Sequence, residues 1–141
     1  MNILICGSIA FSKEMQEAKA VLEMAGHAAV LPRSAELGQG KDFSSTLRAT
    51  DLDAFFRLKA ERMREHFAKI RSADAILVLN YDKPGKPAYI GPNTFLEMGV
   101  AFDLGKRIFV LHTLPEQDNA YEELLAMDPV VLDGDLSRIS E

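Results

Sequence analysis

The chain has no tryptophan, one cysteine and only three histidines among its 141 residues. A lone Cys6 forms neither an intramolecular disulfide nor a cysteine-rich zinc site, so nothing calls for an oxidising compartment. Positive charge is not in excess either. Sixteen Lys and Arg against 21 Asp and Glu leave a net charge of −5, which argues against a nucleic-acid polymer as ligand, because a phosphate backbone needs a concentrated cationic face. Long hydrophobic runs are missing as well. The apolar start, Met1 to Ala10, lacks a basic leader and is broken by Gly7-Ser8, so neither a secretory signal nor a membrane span is expected and the cytoplasm is the default location. What is present is ordinary globular composition, 48% hydrophobic and 26% charged, at the size of one folding unit. Residues 1–141 are therefore read as a single domain.

Ile3-Leu4-Ile5-Cys6 is a short apolar run ending at Gly7-Ser8, as expected of a strand buried on both faces. Ser12 is placed to cap a helix in which Met15, Ala18, Leu22 and Ala25 recur at helical spacing and Gly26 supplies the stop. His27 to Leu31 reads as a second strand, ended by Pro32. Residues 33–50, rich in Ser, Gly, Lys and Thr, read as one long loop. A stripe through Leu52, Phe56, Met63, Phe67 and Ile70 predicts a long amphipathic helix. Ala75 to Asn80 is the clearest buried strand and opens into a loop with Pro84, Gly85 and Pro87. A helix from Pro92 or Asn93 to Gly105, a strand from Arg107 to His112, a short helix at Tyr121 to Met127 and a strand at Val130 to Leu132 finish the pattern. Apolar strands alternating with helices require a parallel sheet covered on both sides. The expected fold is a three-layer, Rossmann-like (flavodoxin-like) α/β sandwich of five parallel strands in the order 2-1-3-4-5, with a ligand crevice at the carboxyl ends of strands one and three.

Two segments meet at that crevice. The Gly7-Ser8-Ile9 turn offers backbone N–H groups and the Ser8 hydroxyl to a ligand, or is simply a tight strand-to-helix turn. Without the full glycine fingerprint it does not support dinucleotide binding. Glu97 lies one turn into the helix that begins at the crevice, and two readings of it stand side by side. Thr94-Phe95-Leu96-Glu97 matches a capping box, with Glu97 tied to the helix start, while its place near the switch point suits a functional carboxylate. His66 falls on the core-edge side of the long helix, where a histidine is a half-buried structural residue more often than a catalyst. Asp82 and Tyr89 flank the proline-rich loop, from which they can order over a ligand or stay solvated. His27 and His112 give no metal-ligand spacing, so no metal is expected.

Ile5-Cys6-Gly7-Ser8-Ile9, Ala73-Asp74-Ala75-Ile76-Leu77-Val78 and Glu97-Met98-Gly99-Val100-Ala101 with Gly105-Lys106 together resemble the nucleoside 2-deoxyribosyltransferase superfamily, including its deoxynucleoside-monophosphate N-glycosidase branch. The resemblance spans residues 3 to 112. It implies that Glu97 is the nucleophile attacking the anomeric carbon and that no cofactor is needed. A carboxylate suits this, since a covalent glycosyl intermediate divides one difficult displacement into two. The N-glycosidases carry an arginine after the Gly-Ser-Ile turn and a serine six residues before the nucleophile for the substrate phosphate; this chain has Ala10 and Gly91. The transferases carry an aspartate at the Gly91 position. The helix aspartate of the N-glycosidases corresponds by spacing to His66, which would protonate a departing base. Tyr89-Ile90-Gly91-Pro92-Asn93-Thr94 resembles a subgroup in which Asn80, Asn93 and Thr94 would hydrogen-bond the ligand. Neutral amides and hydroxyls suit a sugar or base edge better than a phosphate.

The sequence thus points to an enzyme that cleaves or transfers at the N-glycosidic bond of a nucleoside or nucleotide through Glu97, with His66 or Asp82 moving the proton. The alternative is a non-catalytic nucleoside- or nucleotide-binding sensor module on the same fold. A homo-oligomer is expected in either case, from the small chain and the oligomeric family it resembles. The loop over residues 33–50 is expected to act as a lid on the carboxyl edge of the sheet.

Overall fold

Residues Asn2–Gly7 form β1, in which Ile3, Leu4, Ile5 and Cys6 have no solvent exposure. A strand apolar on both sides has to lie within a sheet covered on both faces, and the computed structural model, which describes residues 1–140, has that arrangement. A 3-10 turn at Ile9–Phe11 and α1 (Ser12–Met24) lead to β2 (Ala28–Val30). Three helices follow, α2 (Arg33–Glu36), α3 (Lys41–Thr50) and α4 (Leu52–Ser72), before β3 (Ala75–Leu79). Then come α5 (Pro92–Asp103), β4 (Arg107–Val110), α6 (Tyr121–Ala126) and β5 (Val130–Val131). All pairings are parallel and the strand order is β2-β1-β3-β4-β5, the expected three-layer α/β topology.

Strand alternation sorts the core into two layers. Ile3, Ile5, Leu77, Leu79 and Phe109 face one way and pack with Met15, Ala18 and Leu22 of α1. Leu4, Cys6, Ile76, Val78, Ile108 and Val110 face the other, under Ile70 of α4, Met98 and Ala101 of α5 and Leu124 of α6. The second layer puts the Cys6 side chain beneath α4 and α5.

Four local expectations are corrected. Residues 33–50 are not a loop: α2 and α3 occupy most of them, with Gly38 turning between at a φ of 66°. Ser12 does not cap α1; Ser8 caps the 3-10 turn instead, accepting from the Ala10 amide at 3.3 Å, and α1 follows without a side-chain cap. The stripe on α4 is buried only in its second half. His66 and Ile70 are buried, whereas Leu52 and Phe56 are each 50% exposed because the first half projects past the sheet and packs on α3. Thr94 is not a helix cap either. Gly91 holds that position and Pro92 opens α5, so Glu97 lies in the second turn, out of capping range.

Gly7 ends β1 opposite Leu79 of β3, and a Cβ there would meet the Leu79 carbonyl oxygen at 3.1 Å and Met15 Cε at 3.2 Å. The methionine can shift, but the carbonyl is fixed in the sheet. Gly7→Ala is therefore expected to cost about 1–3 kcal/mol, read by urea denaturation; unchanged stability would show that β1 and β3 separate there without strain.

Candidate functional site

At the carboxyl ends of β1 and β3 a cavity of about 350 Å³ opens between the Gly7-Ser8-Ile9 turn, the start of α5 and the wall formed by α2, α3 and α4. Its lining includes Gly7, Ser8, Ile9, Tyr89, Gly91, Asn93 and Thr94 from the β1 turn and the approach to α5, and Gln39, Phe43, Phe55 and Arg62 from the segment of α2 to α4. His66 and Glu97 also line it.

Glu97 reaches this place because Thr94, Glu97, Met98 and Ala101 form the inward stripe of α5, so helical spacing alone turns a carboxylate into an apolar layer. His66 is brought in by the corresponding stripe of α4, and both residues are only 7% exposed. The His66 Nε2 atom is 3.4 Å from the Cys6 sulfur and 3.7 Å from Glu97 Oε2. That carboxylate oxygen is buried and has no hydrogen-bond partner.

Burial governs the protonation of all three groups, since a low-dielectric surrounding disfavours charge. It raises Glu97 from 4.5 to about 7, opposed by the nearby Cys6 thiol. His66 is lowered from 6.5 to about 4, by burial first and then by the charge on Lys69. The Cys6 thiol is pushed well up by burial, with the neighbouring Glu97 adding to it. At neutral pH His66 is thus a neutral imidazole. The packing that brings His66 to Glu97 therefore works against the expected protonation of a departing base near neutral pH.

The remaining expected residues divide. Tyr89, Asn93 and Thr94 stand on the cavity wall beside Gly91. A Cβ at Gly91 would lie 2.8 Å from the Tyr89 hydroxyl, so the tyrosine fills the space a side chain at that position would take. Ser8 lines the cavity, but its hydroxyl accepts a hydrogen bond from Lys83 Nζ at 2.8 Å. Lys83 also lies over the Tyr89 ring, 4.2 Å from its centroid. Asn80 is corrected: its amide donates to the carbonyls of His112 (3.1 Å) and Thr113 (3.2 Å), and its oxygen accepts from the His112 amide (2.8 Å). That clamps the ends of β3 and β4 and leaves the side chain fully buried, away from the cavity wall. Asp82 is also corrected, since it is exposed and accepts from the Ala88 amide at 2.7 Å, bracing its own loop outside the cavity.

Sequence reasoning missed Cys6, Arg62, Gln39 and Phe43. Cys6 had a usable signal: strand alternation sets it on the same side as Leu4 at the crevice end of β1. Arg62 precedes His66 by four residues, one helical turn, and so shares its face. Gln39 and Phe43 were hidden by reading their segment as loop.

No protein-family model matches the chain, and no curated protein does. Among solved structures it is similar to a 2-deoxyribosyltransferase from Bacillus psychrosaccharolyticus, with 23% identity and a TM-score of 0.47 over 92% of this chain and 82% of that one. It is also similar to the CMP N-glycosidase BcmB of Clostridium botulinum, with 16% identity and a TM-score of 0.49 over 93% of this chain and 85% of that one. No helix among the described residues is long and apolar enough to cross a membrane.

The two shifted groups act on stability in opposite directions. A carboxyl group with a raised folded-state pKa contributes fully below pH 4.5 and loses that contribution as pH rises to about 7. A histidine with a lowered pKa costs stability as pH falls from 6.5 towards 4. Glu97→Gln removes the first dependence and keeps the second. Its stability relative to the native chain is expected to rise by about 1–3 kcal/mol between pH 4.5 and about 8 in urea denaturation. A difference that stays flat across that range would mean Glu97 titrates normally.

Proposed function

We infer that the protein cleaves or transfers at the N-glycosidic bond of a nucleoside-like ligand, with Glu97 as the nucleophile. The observation that carries this reading is a carboxylate 7% exposed, facing no cation within hydrogen-bonding distance, at the wall of a cavity large enough for a sugar and a base. The motif resemblance around Gly7-Ser8-Ile9 and Glu97-Met98-Gly99 assigns the same residue to the same role. Asn93, Thr94 and Tyr89 offer neutral donors and acceptors to sugar hydroxyls, while Phe43, Phe55 and Arg62 add partly aromatic surface suited to a base.

The chemistry follows from the carboxylate. An anionic Glu97 oxygen forms a bond to the anomeric carbon as the C–N bond breaks, and the base leaves with that electron pair and takes a proton from solvent. Water entering at the anomeric carbon completes hydrolysis; a second base completes transfer. Since Glu97 must be ionised to attack and its pKa is about 7, kcat/KM is expected to rise with pH up to about 7 and then level off.

The test is a panel of deoxynucleosides, ribonucleosides and their monophosphates in the presence of a chelator, with free base followed by chromatography. Glu97→Gln is expected to lower base release by about a thousandfold or more while the circular dichroism spectrum is kept. Undiminished turnover in that variant removes Glu97 from the mechanism. The neutral state of His66 favours a second reading, in which the cavity binds a nucleoside without cleaving it. Calorimetric binding across the panel with no base released selects that reading. We also place the chain in a homo-oligomer, motivated by Leu96 and Phe102 of α5, which are 48% and 55% exposed. A monomeric mass by light scattering at micromolar concentration removes that assignment.

A further inference from the structure

Cys6, His66 and Glu97 come from three separate elements, β1, α4 and α5, yet their potential donor atoms all lie within 4.8 Å of one another. Sequence spacing conceals this, because 60 residues separate the first two. Tetrahedral Zn2+ takes sulfur at about 2.3 Å and imidazole nitrogen or carboxylate oxygen at about 2.0–2.2 Å, which sets donor-to-donor edges of about 3.3–3.6 Å. The observed edges are 3.4 Å from sulfur to imidazole and 3.7 Å from imidazole to carboxylate. The sulfur–imidazole edge falls within that range and the imidazole–carboxylate edge exceeds it by about 0.1 Å, so a small adjustment brings both to the length a bound cation requires. A buried carboxylate oxygen without a partner, in a layer with no compensating charge at contact distance, is the second independent sign.

We propose that Cys6, His66 and Glu97 form a binding site for a thiophilic divalent cation, Zn2+ by its donor preference, and that the bound cation withdraws Glu97 from reaction with a sugar. One sulfur and one imidazole select Zn2+ or Co2+ over Mg2+ or Ca2+, which take oxygen donors. On binding, the Cys6 thiol and, where still protonated, the Glu97 carboxyl release their protons to solvent; the metal is then bonded by the Cys6 thiolate, by neutral His66 through Nε2 and by a Glu97 carboxylate oxygen. His66 and Glu97 line the cavity, so the fourth position is reached from there by water or ligand. Cation binding stands on these three residues alone, while its inhibitory effect rests on the proposed role of Glu97.

The experiment titrates the chelator-treated full chain with Co2+ and reads the visible spectrum. One equivalent is expected to give the d–d bands of a tetrahedral site together with a thiolate-to-cobalt charge-transfer band, both bleached by added Zn2+. Cys6→Ala should lose the charge-transfer band, and His66→Gln should weaken binding at least tenfold. No one-to-one spectrum with the native chain, or a charge-transfer band that persists in Cys6→Ala, overturns the site. With a free Zn2+ concentration about ten times Kd, mass action leaves about one site in eleven free, so base release should fall about tenfold. Binding without loss of rate overturns the inhibition and leaves the cation site standing. A spectrum obtained with no base released from any substrate refutes the glycosidic reading instead.

Discussion

Keeping the Glu97 carboxylate inside the layer between the sheet and the α4–α5 pair is the constraint to which the rest of the site is fitted. Charge in that layer is disfavoured, and the group responds by holding its proton up to about pH 7. Its neighbours are matched to that condition. Burial disfavours charge on the imidazole beside it and on the thiol beneath it, so below about pH 7 the cluster sits in an apolar core without a net charge.

The cavity is built around that group from elements of contrasting stiffness. The Gly7 turn and the start of α5 are anchored to buried strands, and Asn80 ties the ends of β3 and β4 beside them. The opposite wall is lighter. No side chain of α3 is fully buried, α2 has one turn, and α4 reaches past the sheet to support both. Elements with few buried apolar contacts open at lower free energy than a core strand, so this wall is the less firmly packed side of the cavity.

Local pattern made some of this legible. Apolar runs such as Ile3 to Cys6 and Ala75 to Leu79 carry the parallel sheet in their composition, since only burial on both faces tolerates them. Right-handed crossovers then leave few orders, and the observed one is among them. Where residues have two uses, local pattern failed. Gly38, Gly40 and several serines look like a flexible connector, but the fold uses one glycine as a turn and the other as a helix cap around α2 and α3. Leu52 and Phe56 keep helical spacing although each stays half-exposed beyond the sheet. Thr94 and Glu97 satisfy the capping pattern by spacing, yet the helix is capped at Gly91, three residues before Thr94.

By itself, the sequence determined the alternation of strands and helices, the sheet order and the placing of Gly7 and Glu97 at one crevice, because these follow from hydrophobic periodicity and chain handedness. It did not determine how side chains from distant segments meet. That His66 sits neutral against Cys6 and Glu97, that Tyr89 fills the space beside Gly91, and that Asn80 and Asp82 serve the scaffold are tertiary outcomes. The physical reason is that burial and the distance between α4, α5 and β1 set both the pKa values and the partners, and neither quantity exists until the layers have packed.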